Sequence, residues 1–264
     1  MAQRVAAVTG ANRGLGLETA RQLLAHGLRV ALTGRDLHAV ERALGGLDAA
    51  PGSAIAVAMD VTDPSSIKRA HRAIVKALGS VDVIVNNAAI LLFESSDVLE
   101  TPLDGFRETF ETNCFGVIEV CREFVPPMAH RGYGRVVNVS SVAGMIGPID
   151  LAAYGTAKAG IVGLTRAAAL DLADHGITVN AIAPGPIETE LMLGAWTAEA
   201  LKERPQHGAI ARFGTVDEIA HAALFLASPD SGFITGVTLS VDGGAVSSGA
   251  YMVEKYRRRK AAED

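Results

Sequence analysis

Val5-Ala6-Ala7-Val8-Thr9-Gly10-Ala11-Asn12-Arg13-Gly14-Leu15-Gly16 passes from an apolar run through a glycine-rich turn into a helical period. Val5–Thr9 reads as a buried strand. Leu15–His26 reads as an amphipathic helix that closes at Gly27. Glycines at 10, 14 and 16 permit a tight turn and let backbone approach a ligand closely. The helix start behind them offers unpaired N–H groups and a positive dipole end to a phosphate. Gly10, Asn12, Arg13, Gly14, Leu15 and Gly16 are therefore candidate binding positions. The spacing is not G-x-G-x-x-G, and a turn of this kind also serves as plain punctuation between strand and helix.

Outward from this unit, apolar strands keep alternating with helical periods. Strands are expected at Val30–Thr33, Ile55–Met59, Val81–Val85, Arg135–Val139, Ile177–Ala181 and Val237–Val241. Helices are expected at Leu37–Leu47, from Pro64 onward, about Leu103–Ala129, Ala153–Ala173 and Val216–Ala227. Asp63 before Pro64 is a ready N-cap. This alternation implies parallel pairing with helices on both faces, a doubly wound α/β sheet of seven strands. No linker divides the chain, so one domain is expected over residues 1–250. The irregular stretch of about 184–214 is expected to be a lid or binding loop, the candidate substrate loop, and 251–264 a tail.

Composition narrows the class. Apolar residues make up 49% of the 264 and charged residues 20%, which excludes disorder as the main state. Aromatics are 5%, so the core must be aliphatic. The net charge of −5 argues against a nucleic-acid coat or a polybasic membrane binder. The basic run Lys255–Lys260 reads as a solvated tail. Cys114 and Cys121 make neither a disulfide framework nor a metal pattern, and the histidines are scattered. The chain enters an apolar strand by Val5, leaving no room for a signal peptide, and no run reaches the length of a membrane span. The expected compartment is the cytoplasm.

The end of the second strand reads Leu32-Thr33-Gly34-Arg35-Asp36. An acid there would bind the ribose hydroxyls of NAD, whereas an arginine would bind the 2′-phosphate of NADP. Arg35 stands at that end, and Arg13 lies in the glycine loop on the same side. Two guanidinium groups suit bidentate recognition of one phosphate, which predicts NADP(H) over NAD(H). Asp36 reads instead as the N-cap of the next helix.

Tyr154 and Lys158 are four apart in a helical segment and share a face. A tyrosine acting as acid and base near neutrality must fall about three units from its reference pKa of about 10, roughly 4 kcal/mol. A positive charge about 4 Å away at an effective dielectric of about 20 supplies about 4 kcal/mol. One lysine is of the right size. Ser140 and Ser141 end the fifth strand, at the carboxyl edge where ligands of open α/β sheets bind.

With these residues in place, the sequence resembles the single-domain short-chain dehydrogenases/reductases of about 250 residues. The match rests on Thr9-Gly10-x3-Gly14-x-Gly16, Asp60-Val61, Asn86-Asn87-Ala88, Asn113, Ser141, Tyr154-x3-Lys158, Pro184-Gly185, Thr189 and Val241-Asp242-Gly243-Gly244, in the family's order along nearly the whole chain. The resemblance implies a Rossmann-like fold and NADP(H)-dependent interconversion of a carbonyl and an alcohol. It implies Tyr154 as general acid/base and Lys158 as the group that lowers its pKa and binds the nicotinamide ribose. Ser141 would orient the carbonyl, ahead of Ser140, and Asn113 would help hold a proton-relaying water. Asp60 and Val61 would contact adenine, Asn87 and Ala88 its ribose, and Pro184, Gly185, Ile187 and Thr189 the nicotinamide end. Ala89 stands where the family often has glycine, which puts local cofactor contact there in question. Assembly as a homotetramer or homodimer through the long helices is a further implication.

Leu91, Leu92 and Phe93, with Leu191, Met192, Leu193, Ala195 and Trp196, fall in regions that flank the substrate in the family. Their apolar character points to a small-molecule substrate with hydrophobic bulk, or to packing of the loop. A 3-oxoacyl reductase acting on a carrier-protein or CoA thioester is the alternative within the family; Asp174-His175 weakens its carrier-protein form. A catalytically silent NADP-binding regulator is the alternative from another class. A serine hydrolase using Ser141 fails because Val139 and Ala143, not glycines, stand two residues either side.

Overall fold

A computed structural model describes residues 3–91, 98–148, 150–189 and 208–248. The elements follow in chain order as β1 (Val5–Val8), α1 (Gly14–Ala25), β2 (Arg29–Gly34), α2 (Leu37–Gly45), β3 (Ala54–Ala58), α3 (Pro64–Leu78) and β4 (Val81–Asn86). They continue as α4 (Leu103–Phe110), a π turn (Glu111–Phe115), α5 (Gly116–Arg131), β5 (Gly134–Val139) and a 3₁₀ turn (Val142–Gly144). The last group is α6 (Ala152–Leu172), β6 (Ile177–Pro184), α7 (Val216–Ala227), β7 (Thr238–Val241) and α8 (Ala245–Ser248).

The seven strands form one sheet in the order β3-β2-β1-β4-β5-β6-β7, every pairing parallel. The order runs outward from β1 in both directions, so a crevice opens between β1 and β4 at the carboxyl edge. This is the doubly wound sheet read from the alternation.

Each face of the sheet has its own aliphatic core. Val5 and Ala7 of β1 pack with Ile67, Ile74, Leu78, Phe124 and Met128 from α3 and α5. Ala6 and Val8 point the other way, to Leu23, Val40, Ile219 and Leu226 of α1, α2 and α7. The two-residue period of β1 thus feeds two layers. Phe124 is the one aromatic among the largest fully buried side chains, as the low aromatic content requires.

Local signals held at the helix starts. The Asp36 side chain accepts from Ala39 N at 3.2 Å, and Asp63 from Ser65 N at 2.8 Å with Pro64 in the first turn. The expected helix from Leu103 to Ala129 is instead interrupted by the π turn Glu111–Phe115. Periodicity over so long a run does not report one extra residue in the helix. The tail 251–264 and positions 190–207 lie outside the described residues.

Candidate active site

A cleft of about 710 Å³ follows the carboxyl edge of the sheet. One half lies over β1, β2 and β3. Here Gly10 has φ +63° and Gly14 +54°, a left-handed region in which glycine carries no steric cost. A Cβ at Gly10 would stand 2.9 Å from Ala88 Cα; at Gly16 it would stand 2.4 Å from both Gly10 O and Asn87 Nδ2. A Cβ at Gly14 would meet nothing within 4 Å, so that backbone faces open space. Thr9 Oγ1 accepts from Asn87 N at 2.9 Å and Ala88 N at 2.8 Å, and Asn87 Nδ2 donates to Thr9 O and Gly10 O. The segment after β4 therefore braces the glycine loop from beneath. An open backbone turn at a helix N-terminus fits a dinucleotide phosphate.

Arg13 and Arg35 are exposed and line this half together with Asp36, Asp60 and Val61. The Asp60 carboxylate is turned to Thr62, accepting from its N at 2.9 Å and Oγ1 at 2.8 Å. Ala89 lines the cleft without a positive φ, so alanine there carries no strain.

The other half lies over β5 and β6, against α6. Ser141 caps the 3₁₀ turn, its hydroxyl accepting from Ala143 N at 3.1 Å. Burial pushes the Tyr154 phenol above its usual pKa, and the Ser141 hydroxyl hydrogen-bonded to it pulls the other way. Lys158 is buried, and its Nζ donates to Val139 O at 2.7 Å and stands 5.6 Å from the Tyr154 ring centroid. Burial lowers the Lys158 pKa to about 8, partly offset by the nearby Cys114 thiol. The expected pull of Lys158 on the phenol is thus not the leading influence in the protein by itself. The ammonium is engaged by a carbonyl, and desolvation of Tyr154 dominates.

The two serines are placed differently. Ser140 is buried and donates from Oγ to Lys158 O at 2.8 Å, facing the helix, while the Ser141 hydroxyl faces Tyr154. Asn113 sits in the π turn, with Nδ2 on Ile90 O and Oδ1 accepting from Ile90 N, both at 2.8 Å. The side-chain amide is thus engaged by the backbone beyond β4, which ties the π turn to that segment. Cys114 is in the same turn and Cys121 in α5, where burial pushes the thiol up to about 11.

Pro184, Gly185, Ile187 and Thr189 line the cleft where β6 ends. Gly185 N donates to Val241 O at 3.0 Å, and a Cβ there would stand 2.8 Å from Asp242 Cα. The expected positions Gly10, Asn12, Arg13, Gly14, Leu15, Gly16, Arg35, Asp60, Val61, Asn87, Ala88, Ser141, Tyr154 and Lys158 also line it; Asn113 is set behind Ile90. The sequence reading missed Ile90, Val142, Ile146, Pro148 and Leu151, which with Leu91 make the wall near Tyr154 apolar. Four of these fall between Ser141 and Tyr154, and that position was the available signal. Leu92, Phe93 and Leu191 to Trp196 lie outside the described residues.

Comparison with known proteins agrees with this geometry. A family model described as enoyl-(acyl carrier protein) reductase matches residues 10–246. The chain is 35% identical over 244 residues to a cyclohexanol dehydrogenase of an Acinetobacter species, covering 92% of this chain and 95% of the relative. It is 36% identical over 246 residues to the 3-oxoacyl-[acyl-carrier-protein] reductase FabG of Vibrio cholerae, covering 91% and 96%. Its fold superposes on a crystal structure of an actinorhodin polyketide ketoreductase variant with NADPH, with TM-score 0.86, 33% identity and coverage of 93% and 98%. With the sheet order, the glycine loop and the Ser141–Tyr154–Lys158 cluster, these matches make the chain a member of the short-chain dehydrogenase/reductase family, oxidoreductases that use a nicotinamide cofactor.

Proposed function

We propose that the protein is an NADP(H)-dependent oxidoreductase that interconverts a ketone or aldehyde with an alcohol, Tyr154 serving as general acid/base. The observation that carries this is the convergence of Ser141, Tyr154 and Lys158 in one cleft, where Lys158 is the only buried cation among the described lining residues and its Nζ stands 5.6 Å from the Tyr154 ring centroid. A bound nicotinamide supplies or accepts the hydride. In the reducing direction Tyr154 gives its proton to the carbonyl oxygen, and Ser141 donates a hydrogen bond to the same oxygen. Lys158 favours the resulting phenolate by its charge. Ile90, Leu91, Ile146 and Leu151 exclude water around the reacting carbon.

Arg13 and Arg35 support the preference for NADP(H), because they flank the place where β2 ends and engage no carboxylate among the described residues. Gly10, Asn12, Gly14, Leu15 and Gly16 would cradle the phosphates. Asp60, Val61, Asn87 and Ala88 would surround the adenosine. Pro184, Gly185, Ile187 and Thr189 would cover the nicotinamide. The apolar wall supports a neutral substrate with hydrocarbon bulk. A 3-oxoacyl thioester is the second reading, favoured by the likeness to FabG. One domain over 1–250 and a homotetramer or homodimer complete the proposal. Phe115 and Leu170, exposed on the π turn and α6, are apolar groups that assembly would cover. The free thiols Cys114 and Cys121 fit a cytoplasmic place.

Tyr154→Phe tests the reading. Turnover of a ketone panel with NADPH should fall about 10²- to 10⁴-fold, while melting temperature and cofactor affinity hold. Near wild-type turnover with an intact fold refutes it.

A further inference from the structure

We infer that Ser140 is a positioning residue, whose buried hydroxyl fixes helix α6 against β5 at Lys158. Resting on the acid/base reading above, this adds a residue that touches neither substrate nor cofactor. Three consecutive residues hold three parts of one cluster. The Val139 carbonyl takes the Lys158 ammonium at 2.7 Å. The Ser140 hydroxyl donates to the Lys158 backbone carbonyl at 2.8 Å. Ser141 meets the Tyr154 phenol. Ser140 is itself anchored, since its N donates to Ile182 O of β6 at 2.8 Å. Only 2% of it is exposed, so the bond does not compete with water.

Packing limits any slack. A Cβ at Gly144 would stand 2.5 Å from Lys158 C, so the 3₁₀ turn rests directly on the helix backbone at the same residue. A second polar contact joins the same two elements. Asn138 Nδ2 donates to Thr165 Oγ1 at 2.9 Å, and both are buried. Asn138 lies in β5 and Ser140 two residues on, in extended continuation just past the strand end, and Lys158 and Thr165 are seven apart on a helix. Each pair therefore shares a face. The contact at Ser140 is the one that sets where the ammonium and phenol sit; the contact at Asn138 serves cohesion. Among the described residues, the titratable and hydrogen-bonding groups that bear on the pair, besides each other, are the Val139 carbonyl and the Cys114 thiol of the π turn, toward Lys158, and the Ser141 hydroxyl, toward Tyr154.

The experiment compares Ser140→Ala with Thr165→Val in the full chain. Ser140→Ala should lower kcat about tenfold with KM changed less than about threefold, as a small misplacement of reacting groups does. It should also move the acid limb of the pH profile for alcohol oxidation upward by about half a unit, since a displaced ammonium stabilises the phenolate less. Thr165→Val should lower the melting temperature and leave that limb in place. Ser140→Cys, similar in volume and a weak donor, serves if the alanine variant does not fold, with an intermediate shift. Tyrosinate absorbance, taken as the difference from Tyr154→Phe, follows the phenol without turnover and should shift in parallel. An unmoved limb and phenol titration in Ser140→Ala, or an equal shift in Thr165→Val, overturns the inference. Retained turnover in Tyr154→Phe overturns the acid/base reading instead, so the two failures are distinguishable.

Discussion

The two halves of the cleft are built from different materials. Over β1–β3 the surface is backbone, opened by Gly10 and Gly14 and closed from below by Thr9 and Asn87, with Arg13 and Arg35 at its rim. Over β5 and β6 it is side chain, with Ser141, Tyr154 and Lys158 set against an apolar wall. A backbone surface tolerates no added atom where it is closely packed, as at Gly10 and Gly16, but asks little of side-chain chemistry. A side-chain surface asks for particular groups and leaves the wall around them free to vary. Substitutions in the first half should therefore act on cofactor affinity, and those in the second on turnover and substrate choice.

The largest effect expected is at Lys158. Lys158→Met should lower turnover at least about 10³-fold while the protein becomes more stable at pH 7. The sign follows from proton counting. Burial takes the folded-state pKa to about 8 against an ordinary 10.5, so between these values the unfolded chain binds more protons than the folded one. Wild-type stability contributed by this group therefore rises with pH through that window, and below about 8 its full burial penalty stands. The gain from Lys158→Met should be greatest below pH 8 and shrink toward 10.5 in pH-dependent thermal melts. A variant less stable at pH 7 contradicts the claim that this lysine is a cost to the fold.

Next in size is Gly16→Ala, in the backbone half. Its Cβ would meet Gly10 O at 2.4 Å, a backbone atom that cannot swing aside. The overpacking should cost about 1–3 kcal/mol of stability and weaken cofactor binding more than about 100-fold by fluorescence titration. If turnover fell while cofactor affinity held, the division between the halves would fail.

The backbone half was the more legible in sequence, for a physical reason. Its glycines and caps act on neighbours a few residues away, so Gly10, Gly14, Asp36 and Asp63 announce their roles locally. The alternation of strand and helix is equally local and gave the sheet. Tyr154 and Lys158 were legible because one helical turn joins them. The π turn was not, because Asn113 finds its partner in Ile90, 23 residues away. Nor was the assignment of Ser140 to the helix backbone, which depends on how α6 is seated across the sheet. The apolar wall was missed because Ile146, Pro148 and Leu151 gain meaning only from what they face.

A smaller effect is expected at the rim. Arg35→Ala should weaken NADPH about tenfold, the scale of one charge-assisted hydrogen bond at an exposed site, and leave NADH within about twofold. Calorimetric titration of both cofactors checks it. Equal affinity of the wild type for NADPH and NADH would remove the two-arginine argument and leave the backbone half as a cradle indifferent to the 2′-phosphate.

The smallest effect sharpens the other half. Ile146 lines the cleft near Tyr154 yet is 48% exposed, so truncation there gives up only part of a buried side chain's transfer energy. Ile146→Ala should lower kcat/KM for a bulky alicyclic ketone by about 1 kcal/mol, roughly fivefold. For a ketone of three or four carbons, too small to span from Tyr154 to the wall, the change should stay within about twofold. NADPH affinity should not move, because the side chain lies on the far side of the β1/β4 crevice from Arg13 and Arg35. An equal loss for large and small ketones would mean that Ile146 supports the 3₁₀ turn and Ser141 rather than the substrate. The apolar wall would then belong to the machinery that positions the hydroxyls, and substrate choice would have to be sought at other residues of the cleft.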